Sequence, residues 1–254
     1  MTAGAPEVGS FVEAPSGAPP QGERHEAARE RIVAKIPASY SPAAHFLIPG
    51  ALGLGVLGAS VGLLEAVQPV EWLTIPITIF LGFGFEWRIH KSMLHERLPL
   101  AGTLYVRHEL HHHVIYTYDD MTMRSSREWR LVLMPAYAIV LVFVMMVPII
   151  AALWRWVTPN VALLHLATSM VFFLAYEWMH LAYHLPPEHP IGRLGVVRRL
   201  RELHRRHHDP RLMKRWNFNV TVPVFDWIHG TLWSEERERA RRERRARRGK
   251  PAAG

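Results

Sequence analysis

Ten histidines fall into four short clusters whose spacing suits metal binding on helices. They are His90 and His95 in HKSMLH, His108, His111 and His112 in HELHH, His180 and His184 in HLAYH, and His204, His207 and His208 in HRRHH. Imidazole nitrogen ligates iron, zinc, copper and nickel. Each residue of an α-helix advances about 100°, so positions i, i+3 and i+4 share a face. In HxxHH all three rings therefore lie within an arc of about 100°, and His180 and His184 are about 40° apart. His90 and His95 differ, because five residues put them about 140° apart on a regular helix. Either a π-bulge or kink re-aims one of them, or each faces a different metal.

Ten imidazoles exceed the roughly six positions of an octahedral ion, so two metals with about five nitrogens each is the simplest arithmetic. Zinc prefers four ligands, which makes an all-histidine, high-coordination pair fit iron better, although such a site also admits zinc. Cysteine is absent, which excludes disulfides, thiolate ligands and cysteine nucleophiles. The other histidines read differently. His113 falls about 140° from His108 on an α-helix and reads as solvated or supporting. His165 lies inside an apolar block and reads as a neutral, hydrogen-bonded residue between helices. His25, His45 and His189 read as surface residues, and His229, in FDWIHGTL, as a candidate to support the site.

These clusters need elements to carry them. Four apolar blocks stand out, at 46–67, 72–85, 131–154 and 161–178. About 20 residues span a hydrocarbon layer of about 30 Å. The first and third blocks are long enough, the third with Pro148 as a kink. The second spans if extended to 70–89, and the fourth runs directly into His180 and His184. The expectation is an all-α integral membrane protein with four transmembrane helices and a cytoplasmic, histidine-rich helical cap holding a dimetal site. Loops 68–71 and 157–160 lack Lys and Arg, whereas Arg88, Lys91, Arg97, Arg107, Arg124, Arg127 and Arg130 crowd the connection between blocks two and three. The positive-inside rule then puts both termini and all four clusters on the cytoplasmic side of a multi-pass protein.

Three regions follow: a disordered and amphipathic segment over 1–44, a membrane domain over 45–234, and a basic Arg/Glu-rich tail over 235–254. Residues 1–23 read as disordered and lack the apolar core of a signal peptide, while 24–35 suit a short amphipathic helix. The net charge is +8, and 235–250 supplies nine Lys/Arg against four Glu, or +5 of it. The rest of the chain is mildly basic, without a nucleic-acid-binding surface. A metal transporter is the reading from another class. It predicts ionisable residues through the membrane midplane, where the blocks offer His165, with Glu65 near an outer end.

The order HX4H, HX2HH, HX3H, HX2HH, set among apolar helices, resembles the fatty acid hydroxylase superfamily, and most closely its fatty acid 2-hydroxylase branch. EWRIHKSMLHERLP, SSREWRLVLMP and NFNVTVPVFDWIHGTLW extend the resemblance over about 86–233. It implies that the ten clustered histidines ligate two metals, and that the protein uses O2 to hydroxylate a C–H bond of a membrane lipid, a fatty acid or fatty acyl chain. Carotenoid and sterol oxygenases with related histidine patterns are the alternative. Members often carry a cytochrome b5 domain; 1–44 is too short for one, so electrons are expected from a separate ferredoxin or cytochrome b5 type donor with its reductase. Carboxylates commonly hold the outer N–H of ligating imidazoles. Glu86, Glu109, Glu177 and Asp226 are the acids placed to do so, with His229 as a further support.

Overall fold

The computed structural model describes residues 21–248, apart from 100 and 136. Most of the segment expected to be disordered, 1–20, lies outside the described residues. Within them the chain is helical and contains no strand. Helix α1 (Gln21–Ala34) occupies the place expected for a short amphipathic helix. Helices α2 (Pro42–Gly62) and α3 (Thr74–Ile89) follow. Three short helices come next, α4 (Gly102–Tyr105), α5 (His113–Ile115) and α6 (Trp129–Val132). The long α7 (Tyr137–Trp156) and α8 (Pro159–Tyr183) precede α9 (Gly195–His207), α10 (Val224–Ile228) and α11 (Glu235–Arg248).

Three helices are long and apolar enough to cross a membrane: α2, most of α7, and α8. Helix α3 is the exception to the expected four. Pro69 opens a 3-10 turn, Pro69–Leu73, which delays the α-helix, and the 16 residues that follow reach only about 24 Å. Both α2 and α8 start with the same chemistry, a hydroxyl cap followed by proline. Ser41 Oγ accepts from Ala44 N at 3.2 Å, and Thr158 Oγ1 from Val161 N at 3.1 Å.

Helix α8 is the central rod, packed by α2, α3 and α7 and burying Leu163, Leu164, Ala167, Met170 and Leu174. Gly53 admits α8 closely, since a Cβ there would lie 3.1 Å from the Leu174 side chain. The outward faces of α2 and α7 leave Leu47, Ile48, Val144 and Val147 more than 60 % exposed, a surface suited to lipid. At one end, buried Glu71 joins the two loops that lack Lys and Arg by accepting from Gln68 N, Thr158 Oγ1 and Asn160 Nδ2. His165 bonds Thr78 across α3 and α8 at 2.9 Å. At the other end α8 carries His180 and His184 without a break.

Candidate metal centre

The helix geometry near the clusters is not α-helical throughout, and this decides which rings converge. A π-helical turn, His90–Leu94, continues α3, so five residues complete little more than one turn. His90 and His95 consequently stack, with ring centroids 5.2 Å apart and planes 13° from parallel. A second π-segment, Val106–His112, joins α4 to α5. At about 4.4 residues per turn, positions i+4 and i+5 flank the first ring, while i+3 swings out by more than 100°.

Nine histidines form two buried groups, each with ring nitrogens within 4.8 Å of one another. The first comprises His90, His95, His108, His113 and His207; the second comprises His112, His184, His204 and His208. His111, counted as a ligand on α-helical geometry, is only half-buried and stands outside both. His113, set aside on the same geometry, stands inside the first. His180 flanks the second group: its centroid is 4.8 Å from those of His112 and His204, and its buried Nε2 has no hydrogen-bond partner.

Proton positions follow from the acceptors. His90, His112, His184, His207 and His208 direct Nδ1 at the carbonyls of Phe218, Leu131, Met121, Trp216 and Tyr116, at 2.5 to 3.0 Å. A carbonyl only accepts, so these Nδ1 atoms carry the proton and Nε2 is a bare lone pair. His95 donates Nδ1–H to Glu109 Oε2 at 2.5 Å. Yet His95 Nε2 faces His207 Nε2 at 2.9 Å, and His112 Nε2 faces His208 Nε2 at 3.1 Å. With both protons turned outward, these are not hydrogen bonds but lone pairs pointing at one another. Ligands about 2.1 Å from a metal and at right angles are about 3.0 Å apart, so the spacing fits a shared cation.

Burial, reinforced by neighbouring imidazoles, holds His90, His108, His112, His113, His184, His204 and His207 well below the ordinary histidine range. Burial brings His208 down to about 3. All eight are neutral donors at neutral pH. Glu109 is the expected acid that touches a ligand. Burial alone would raise its carboxyl, but the bonds from His95 and Lys214 bring it below the usual range.

The other acids do different work. Glu86 accepts from Val220 N, Thr221 N and Thr221 Oγ1, and Asp226 from Phe218 N, Asn219 N and Thr231 Oγ1. They hold the strap 216–221, whose carbonyls receive His90 and His207. Glu177 accepts from Met134 N, and exposed His229 stacks on Trp87 at 4.1 Å. Far from lying on the surface, His45 is buried between Tyr40 and the Met134 carbonyl. A third group, His25, Glu26 and Asp120, is half-buried and already engaged with Ile115 O, Arg124 and Arg29.

Backbone acceptors escaped the sequence reading, because any residue can supply a carbonyl. One signal was present: Asn217, between Trp216 and Phe218, adopts φ 57°, a left-handed conformation asparagine tolerates better than most residues. It turns the strap so that the carbonyls on either side of it reach two ligands. Its side chain donates to Leu203 O and accepts from Trp233 N. Asn217→Ala is expected to cost about 2–3 kcal/mol, from strain and two lost hydrogen bonds. Asn217→Gly should recover about 1 kcal/mol of that, read from denaturant unfolding in detergent.

Helices of lipid-spanning length, one of which runs straight into converging bare imidazoles, define a class, the histidine-rich membrane proteins able to hold metal. The comparison with protein families narrows it. The fatty acid hydroxylase model matches residues 75–231, more than half of the chain, and the protein belongs to that family. Neither a curated protein nor a solved structure gave a match. It is therefore a membrane oxidoreductase of the hydroxylase type, with histidine clusters able to hold metal ions.

Proposed function

We propose that the protein is a dimetal oxygenase that hydroxylates a C–H bond of a fatty acid or fatty acyl chain, using O2 and electrons from a separate carrier. The observation that carries this reading is the pair of adjoining imidazole groups, five and four strong, with His180 poised as a fifth donor to the second. The groups touch, since His113 of the first stacks on His208 of the second at 4.2 Å. Iron suits so nitrogen-rich a pair better than zinc. Two bound irons would supply the activation of O2 and the oxidation of the C–H bond.

The protein's own residues prepare the place. Carbonyls and Glu109 fix the ring orientations and tautomers, and buried Phe218, Tyr116 and Tyr183 keep bulk water from the rings. The arginines after α3 and after α8 support a cytoplasmic site at the bilayer surface, with both termini on that side. A lipid can enter sideways there. In that arrangement α3, extended by its π-turn, serves as a fourth and shorter membrane element, and 45–234 is the catalytic unit. The chain has no cysteine to hold an iron–sulfur cluster, and exposed Lys214 beside Glu109 suits an acidic donor of ferredoxin or cytochrome b5 type.

Lipid profiling tests the substrate. Cells expressing the protein should accumulate hydroxylated acyl species that a His207→Ala/His208→Ala variant fails to make. Identical acyl profiles would refute the proposal, and a change confined to carotenoids or sterols would reassign the substrate. Metal analysis of the purified protein should give about two ions per chain.

A further inference from the structure

Helix α1 lies outside the residues matched by the family model, yet one of its side chains, Arg29, is hydrogen-bonded into the segment that orients one of the two histidine groups. We infer that Arg29 of α1 is a positioning residue for the second group, holding the two carbonyls that orient His184 and His208. The inference rests on the reading that each group binds a metal.

Arg29 is 3 % exposed, unusual for an arginine. Its guanidinium donates to Glu128 Oε2 at 2.6 Å, Asp120 Oδ2 at 3.0 Å and Thr122 O at 2.8 Å. Glu128, equally buried, also accepts the Tyr116 hydroxyl at 3.0 Å, and the Tyr116 carbonyl accepts His208 Nδ1–H at 2.5 Å. Asp120 and Thr122 flank Met121, whose carbonyl accepts His184 Nδ1–H at 2.8 Å. One side chain thus fixes both sides of the segment 116–122. Ile32 of α1 adds to this by packing with Ile115, Tyr116, Met121 and Leu181. Nothing comparable links Arg29 to the first group, whose outward nitrogens meet Phe218 O, Trp216 O and Glu109.

The prediction is therefore selective. Groups that orient metal-bound histidines affect metal affinity by about 10- to 100-fold. In purified, metal-loaded full-length protein, Arg29→Met should release one of two metals to EDTA about tenfold faster or more, leaving the other at the wild-type rate. Arg29→Lys should fall between, because an ammonium lacks the planar fork that serves three acceptors. Glu30→Gln, on the exposed side of α1, should change neither rate. Tyr116→Phe removes only the hydroxyl bond to Glu128. It should speed loss of the same metal a few-fold, and it stands in for Arg29→Met if that variant does not fold. A general folding defect would loosen both metals together, so equal acceleration overturns the inference, as does wild-type release in both Arg29→Met and Tyr116→Phe. A wild-type protein that holds fewer than two metals would instead refute the proposed dimetal site.

Discussion

Alanine at His113 is expected to remove one metal and reduce hydroxylation by at least about 100-fold, whereas alanine at His111 should leave both metals and activity near wild type. The two residues are two positions apart, and an α-helical reading of HELHHH assigns them the opposite importance. The π-segment reverses it. Nε2 of His113 lies 3.1 Å from Nε2 of His108, and its ring packs on both His207 and His208. His111 is half-buried and belongs to neither group. Metal content and product yield of the two single variants, measured together, check this. A silent His113→Ala with an inactive His111→Ala would mean that the segment is α-helical when metal is bound.

The second large effect is expected at Glu109. Its carboxylate holds His95 Nδ1–H with one oxygen and Lys214 Nζ, at 3.1 Å, with the other. Glu109→Ala leaves a buried ring N–H without an acceptor and lets His95 rotate. Affinity at the first group should fall by up to about 100-fold, with the second unaffected. Glu109→Gln keeps an acceptor oxygen but loses the charge, and about tenfold is expected. Lys214→Ala should matter little, since that lysine is 58 % exposed and screened by water. Titration of the apo variants with metal, read as two separate binding steps, distinguishes these outcomes.

What the sequence made legible was the chemistry and its carriers. HRRHH lies on a true α-helix, α9, and its three rings do share one side, although His207 serves the first group and His204 and His208 the second. For His90 and His95 a π-bulge was one of two alternatives, and the structure contains it. The apolar blocks located α2, α7 and α8, but hydropathy did not reveal that Pro69 and its 3-10 turn would shorten α3. Two things were not legible. Whether a helix winds with four or five residues between bonds depends on tertiary packing, which no local spacing records. Orientation of the rings by carbonyls at 116, 121, 131, 216 and 218 depends on loops brought from far along the chain, and a backbone oxygen has no residue type.

The division of ligands between the groups also sets an order of assembly during synthesis. Four rings of the first group, His90, His95, His108 and His113, lie within 24 consecutive positions, so they can gather before α7 and α8 exist. At that stage the second group has His112 alone, and it gains His184 only when α8 is complete. Both remain open until α9 emerges, because His204, His207 and His208 close them together. A nascent chain stopped before Gly195 would thus display a first pocket with four of its five rings and a second with two of its four. Helix α9 acts as a clasp: the ribosome makes it late, and both pockets become complete in a single docking event.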